Sequence, residues 1–307
     1  MARRLKFARE KSGLRLDSMK RKFIVIFASG LLLSFFIVIW LTGGILCAPA
    51  NQSVGILPLG LFGTSVEFPS ASGAMIHGWF MPGIKGAGAI ILMHGVRADR
   101  RSMLNRAKFL SHSGYSVLLF DFQAHGESLG KHITFGYLES MDAQAAFNFI
   151  RENAPDEKIG VIGISMGGAA ILLASPPLNA DAMVSEMVYP TITQAIANRL
   201  SMSFGRWAEI LTPLLSWQLK PRLGIDAEDL CPINRVGKMT TPKLFIFGAE
   251  DQHTTPEESL QIFHAAAHPK EFWMVKGAKH VDLYGKEYEQ RVSAFFEKYL
   301  RQKLGES

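Results

Sequence analysis

The chain has 307 residues, 48% of them apolar, and a formal net charge of +6. Its length allows one large domain or two small ones. The charge is local: residues 1–22 carry nine Lys and Arg against Glu10 and Asp17, and the remainder, with 24 basic and 25 acidic residues, is near neutral. That distribution argues against a nucleic-acid-binding globule, and two distant cysteines, Cys47 and Cys231, make neither a disulfide framework nor a metal motif.

After the basic tail comes Phe23–Leu41, nineteen residues without a charge. As a helix this run spans about 30 Å, the thickness of a bilayer core. It is longer than the apolar region of a cleavable signal peptide, and Ala48-Pro49-Ala50 is a poor cleavage site because of its proline. Residues 23–42 are therefore expected to be an uncleaved signal anchor. A removed signal peptide and a buried core helix are the competing readings. Basic residues crowd positions 3–22 and none follows the apolar run until Lys85, so the N-terminus is expected in the cytoplasm and the rest on the outer face. An exported domain with so few cysteines suggests a bacterial envelope.

Residues 43–63 contain Pro and Gly and read as a linker that settles onto the domain that follows, 64–307. Ser65–Phe68 and Ala74–Met81 read as a pair of strands around a turn. Ala87–Met93 and Tyr115–Phe120 are continuous apolar runs, as in strands buried on both faces of a parallel sheet. Arg100–Ser113 and Tyr137–Asn153 have helical patterns. Further strands are expected at Ile159–Ile164, Ala182–Val188, Lys243–Gly248 and Glu271–Val275, with helices at Glu257–Ala267 and Val281–Arg301. Strands alternating with helices of this length mean an α/β domain with a mainly parallel sheet. Residues 189–239 differ in character, and their aromatic and aliphatic residues, Phe204, Trp207 and Trp217 among them, suit either a helical cap lining an acyl pocket, perched near the bilayer, or plain core.

The chemistry centres on Gly163-Ile164-Ser165-Met166-Gly167, set between a strand and a helix. Such a turn lifts a serine hydroxyl clear of a sheet, and side chains at either glycine would collide with backbone. A serine hydroxyl needs a base in hydrogen-bond reach and an acid to orient that base. In this architecture acid and histidine follow the serine, each in a loop after a later strand. Asp251 lies three residues past Gly248, and His280 sits in the loop after Val275. Ser165, Asp251 and His280 thus occupy the three slots in order. Glu250 is a rival acid and Asp282 a lesser one, while His253, His264 and His268 read as solvated loop or helix residues. No cofactor or metal site is expected.

From about Ser65 to Leu300 the chain resembles the α/β-hydrolase superfamily. The resemblance rests on those three residues, on His94-Gly95 after the third strand, and on Asp121-x3-His125-Gly126-x-Ser128. Gln123-Ala124 is a small departure from the usual form of the latter. The group it is most similar to is the serine esterases and serine-aminopeptidase-like hydrolases. The resemblance implies an eight-stranded, mainly parallel sheet with helices on both faces and a small cap. It further implies an oxyanion hole from the backbone N–H groups of Met166 and Val96, with His94, Asp121 and His125 architectural. The expected activity is ester hydrolysis, with thioester or amide cleavage behind it, by a protein expected to be a monomer. Its expected partners are a small acyl ester and the lipid bilayer.

Overall fold

The structure, a computed structural model, describes residues 2–281 and 283–301, with side chains from residue 20 onward. It separates into two units, residues 1–46 and 47–307. The first is helix α1, Ala2–Cys47. Its stretch Lys20–Cys47 has a mean hydropathy of 2.7 and is long and apolar enough to cross a membrane. Apolar side chains such as Phe23, Leu33 and Val38 are exposed along it, which rules out a buried core helix. The helix also outruns the expected 23–42 at both ends, since nothing in its flanks (no proline before Pro49) breaks the backbone pattern.

The second unit holds an eight-stranded sheet. Its strands are β1 (Thr64–Pro69), β2 (Met75–Met81), β3 (Ala89–Met93), β4 (Ser116–Phe120), β5 (Ile159–Ile164), β6 (Ala182–Glu186), β7 (Lys243–Gly248) and β8 (Lys270–Val275). Their spatial order is β8-β7-β6-β5-β3-β4-β2-β1. Strand β2 runs antiparallel to both β1 and β4, and every other pairing is parallel. The sheet is thus mixed, with a largely parallel body.

The apolar runs explain the layers. In β3, Ile91 and Met93 face one core cluster and Ile90 and Leu92 the other, so the strand is buried on both sides. Strands β4 and β5 alternate in the same way, Leu118 and Val161 against Leu119 and Ile162. Helix α2 (Leu104–His112), entered through a 3₁₀ turn at Arg100–Met103, joins the face that holds Ile90. Helices α3 (Tyr137–Asn153) and α4 (Met166–Leu173) cover the opposite face.

Residues 189–239 fold as short helical pieces: α5 (Ile192–Phe204), a 3₁₀ turn at Arg206–Leu211, α6 (Thr212–Ser216), α7 (Leu219–Leu223), a 3₁₀ turn at Ala227–Leu230, and α8 (Ile233–Val236). Helix α9 (Pro256–Ala265) starts on a Thr255–Glu258 capping box. Helix α10 runs Lys286–Leu300 and buries Tyr288, Val292, Phe295, Phe296 and Leu300, one stripe at helical spacing. It begins five residues later than the sequence pattern suggests. Gly285 is extended, with φ 176°, and Leu283 is buried, so residues 283–285 precede the helix as a loop. The linker does not hang loose. Ala50–Asn51 pairs in parallel with His125–Gly126, and Gln52 Nε2 donates to Asp99 at 2.6 Å.

Candidate active site

Strand β5 ends at Ile164 and α4 begins at Met166, so one residue, Ser165, makes the whole turn. Its backbone has φ 50° and ψ −109°, a conformation costing on the order of 1–3 kcal/mol for a residue with a side chain. The turn is possible because its neighbours lack side chains. A Cβ on Gly163 would meet the Gly167 carbonyl carbon and oxygen at 2.5 Å, and one on Gly167 would meet the Met93 oxygen at 2.4 Å. The Ser165 N–H donates to the Glu186 carbonyl at 2.8 Å, which ties the elbow to β6.

Asp251 and His280 lie in the loops after β7 and β8, and the structure brings both to Ser165. His280 Nε2 is 3.1 Å from Ser165 Oγ, and His280 Nδ1 is 2.7 Å from Asp251 Oδ2. With a carboxylate on one nitrogen and a hydroxyl on the other, the proton belongs on Nδ1 and Nε2 accepts. Asp251 is buried, and its other oxygen accepts the N–H groups of His253 at 2.7 Å and Thr254 at 3.1 Å. Those bonds hold the carboxylate in place against the imidazole. Glu250 is exposed and lines the cavity without holding the imidazole. Asp282 lies outside the described residues.

Two donors expected near the serine are positioned by different elements. Met166 is the first residue of α4, where a backbone N–H has no partner within the helix. Val96 follows Gly95, and a Cβ on Gly95 would sit 3.8 Å from Ser165 Cβ, so this loop abuts the elbow. His94 fastens the loop. It is fully buried, its Nδ1 pairs with the Gly95 carbonyl at 2.7 Å, and its Nε2 accepts the Phe122 N–H at 3.1 Å. Burial, and then the nearby His125, push its pKa down to about 3, so it stays neutral. Asp121 is likewise architectural: it pairs with buried Arg100 and accepts the Glu127 N–H at 2.9 Å. His125 Nδ1 pairs with the Gln123 carbonyl at 2.9 Å.

The side chains of Ser165 and His280 open into a cavity of about 700 Å³, whose walls also include Val96, Met187 and Met202. The cap supplies two of its lining residues, Arg199 and Met202, both from α5. Phe204, Trp207 and Trp217 are 63%, 69% and 66% exposed, so they form neither an acyl pocket nor core. The short helical pieces on which they sit turn them outward.

Three features are not evident from the sequence. His253 is half-buried rather than solvated, and its ring lies 4.6 Å from that of His280. Burial, with the positive charge of Arg199 and then His280 nearby, lowers its pKa to about 4. Beneath the elbow, buried Glu186 accepts from Arg106 and, at 2.6 Å, from Tyr288 Oη, joining β6, α2 and α10. An apolar strand ending in Glu is the one sequence signal for that cluster. The cap is pinned to the acid loop by Asn198 Nδ2, which donates to the His253 carbonyl at 3.1 Å and to Glu258 Oε2 at 2.7 Å.

The family described as serine aminopeptidase, S33, matches residues 85–231, which include the elbow and end before the loops of Asp251 and His280. An uncharacterized protein of Bacillus subtilis, YqkD, is 25% identical over 241 residues, 76% of this chain and 79% of its own length. The polyketide transferase grgF of a Penicillium is 22% identical over 71% of this chain and 90% of its own. Among solved structures, the esterase Pf2001 of Pyrococcus furiosus aligns with a TM-score of 0.67 and 25% identity, covering 82% of this chain and 99% of that one. Strand order, elbow and these likenesses together give the chain the α/β-hydrolase fold and support a hydrolase.

Proposed function

We propose that the protein is a membrane-anchored serine hydrolase that cleaves carboxylic esters, with thioesters next in line. Ser165 Oγ attacks the substrate carbonyl. His280 Nε2 takes the hydroxyl proton and returns it to the leaving group, while Asp251 holds the imidazole with its proton on Nδ1. The carbonyl oxygen becomes an oxyanion, which the backbone N–H groups of Met166 and Val96 receive at the N-terminus of α4. Water then releases the acyl group from the serine. The observation that carries this reading is the unbroken line of two hydrogen bonds, 3.1 and 2.7 Å, from Ser165 through His280 to Asp251.

Residues 23–42 hold the protein in the bilayer, with the N-terminus in the cytoplasm and the hydrolase domain on the outer face. The exposed apolar length of α1 and the cluster of basic residues before it support that placement. The protein works as a monomer, uses no cofactor or metal, and takes a small acyl ester.

A fluorophosphonate probe tests the chemistry. The wild-type protein labels and Ser165→Ala does not; a folded wild type that resists labelling defeats the proposal and leaves a tethered binding module. The family match favours a second reading, cleavage of amide bonds in short peptides. A panel of p-nitrophenyl esters against aminoacyl anilides separates the two: faster turnover of the anilides would select the peptidase.

A further inference from the structure

The wall of the active-site cavity is unequal in charge. Among the described residues, Arg97, Arg106, Arg199 and Lys279 line it against one acidic side chain, Glu250. Arg106 is neutralised by Glu186, and Arg97 reaches back to the Ala48 carbonyl at 3.3 Å. Among the described residues, neither Arg199 nor Lys279 has a carboxylate within 4 Å. The neighbour of Arg199, Asn198, is bonded to both the His253 carbonyl and Glu258, which ties the part of α5 that carries Arg199 to the acid loop, and the Arg199 side chain is exposed at the cleft. A cation on the wall of a cleft attracts an opposite charge more strongly than one in open water.

We propose that the enzyme selects esters bearing a second, anionic group, a carboxylate or a phosphate-like group, which Arg199 receives with Lys279 beside it. The inference rests on the hydrolase reading and adds a substrate class to it. It also weighs against an aminopeptidase, whose substrates present an ammonium group to the same wall.

The test compares three p-nitrophenyl esters with the detergent-solubilised full chain: the monoester of glutarate, its methyl diester as the neutral match, and the ester of 4-phosphonobutyrate. The anionic monoester is expected to exceed the neutral diester in kcat/KM by about five- to tenfold, the order of one partly exposed charge-assisted contact. The phosphonate, compared with the carboxylate, tells which anion is preferred. Arg199→Leu brings the anionic-to-neutral ratio close to one, Arg199→Lys restores part of it, and Arg206→Leu, an exposed cap arginine that does not line the cavity, keeps it. High salt shrinks the ratio in the wild type. Equal rates on anionic and neutral esters, or a ratio that survives Arg199→Leu, overturn the inference while leaving a serine hydrolase in place. No turnover of any ester, with no fluorophosphonate labelling, removes the hydrolase reading and this inference together.

Discussion

Asp142 lies buried on α3, where its carboxylate accepts from Ser70 and Ser72 of the β1–β2 turn and from the Gln123 N–H. Burial outweighs these donors and raises its pKa to about 7. His94 and His253 are shifted the other way, to about 3 and about 4. The signs oppose. Below pH 6.5 each histidine protonates in the unfolded chain but not in the folded one, so folding loses stability as pH falls toward 4. Asp142 binds its proton in the folded state below about 7 but in the unfolded chain only near 3.8, so through the same window it adds stability as pH falls. Asp142→Asn removes that addition. Urea unfolding at pH 7 and pH 5 should show the variant falling further behind the wild type at pH 5, by on the order of 1–3 kcal/mol. A gap of the same size at both pH values would mean that Asp142 carries no shifted proton.

At the scale of elements, the contact between α4 and the sheet decides whether the elbow forms. A methyl group on Gly167 meets backbone oxygens, Met93 at 2.4 Å and His94 at 2.8 Å, which cannot move without breaking the parallel sheet. Gly167→Ala is therefore expected to cost about 2–4 kcal/mol and most of the proposed hydrolase activity. Gly285→Ala, in open space and at an extended φ, is expected to stay within about 0.5 kcal/mol. Thermal unfolding with a parallel ester assay checks both; equal losses in the two variants would show that close packing at the elbow is not the cause.

The elements also show why some parts are readable from sequence and others are not. Strands β3, β4, β5 and β7 are largely apolar runs, and Ser165 and Asp251 each follow such a run within a few residues, while His280 follows the shorter apolar stretch that ends β8, so position along the chain announces position in space. The start of α10 depends on how Leu283 packs and on the backbone at Gly285, neither of which alters the helical pattern. In the cap, Trp207 and Trp217 sit on pieces too short for an apolar stripe to define a face, and periodicity cannot tell outward from inward. His253 beside His280 and Arg199 beside the cleft are contacts between loops and helices far apart in the chain, which leave no local trace.

For the molecule as a whole, the mixed eight-stranded sheet sets three distant loops at one edge, and α1 adds a length of helix able to cross a bilayer. An alkaline phosphatase reporter fused after Ser307 is expected to be active, which requires the outer face; an inactive fusion alongside a C-terminal β-galactosidase fusion that works would invert the orientation.

The way the chain enters its folded body bears on whether a leader peptidase ever trims it. Cys47 is buried and its carbonyl accepts the Ile133 N–H at 2.9 Å, the Ala48 carbonyl accepts from Arg97, and the Ala50 N–H donates to Ala124 at 2.7 Å. Cleavage after Ala50 would tear away all three attachments and expose the seam they close. Maturation at that point would thus loosen the enzyme at its own threshold, and intact mass spectrometry of protein recovered from membranes should find Cys47 still joined to Asn51.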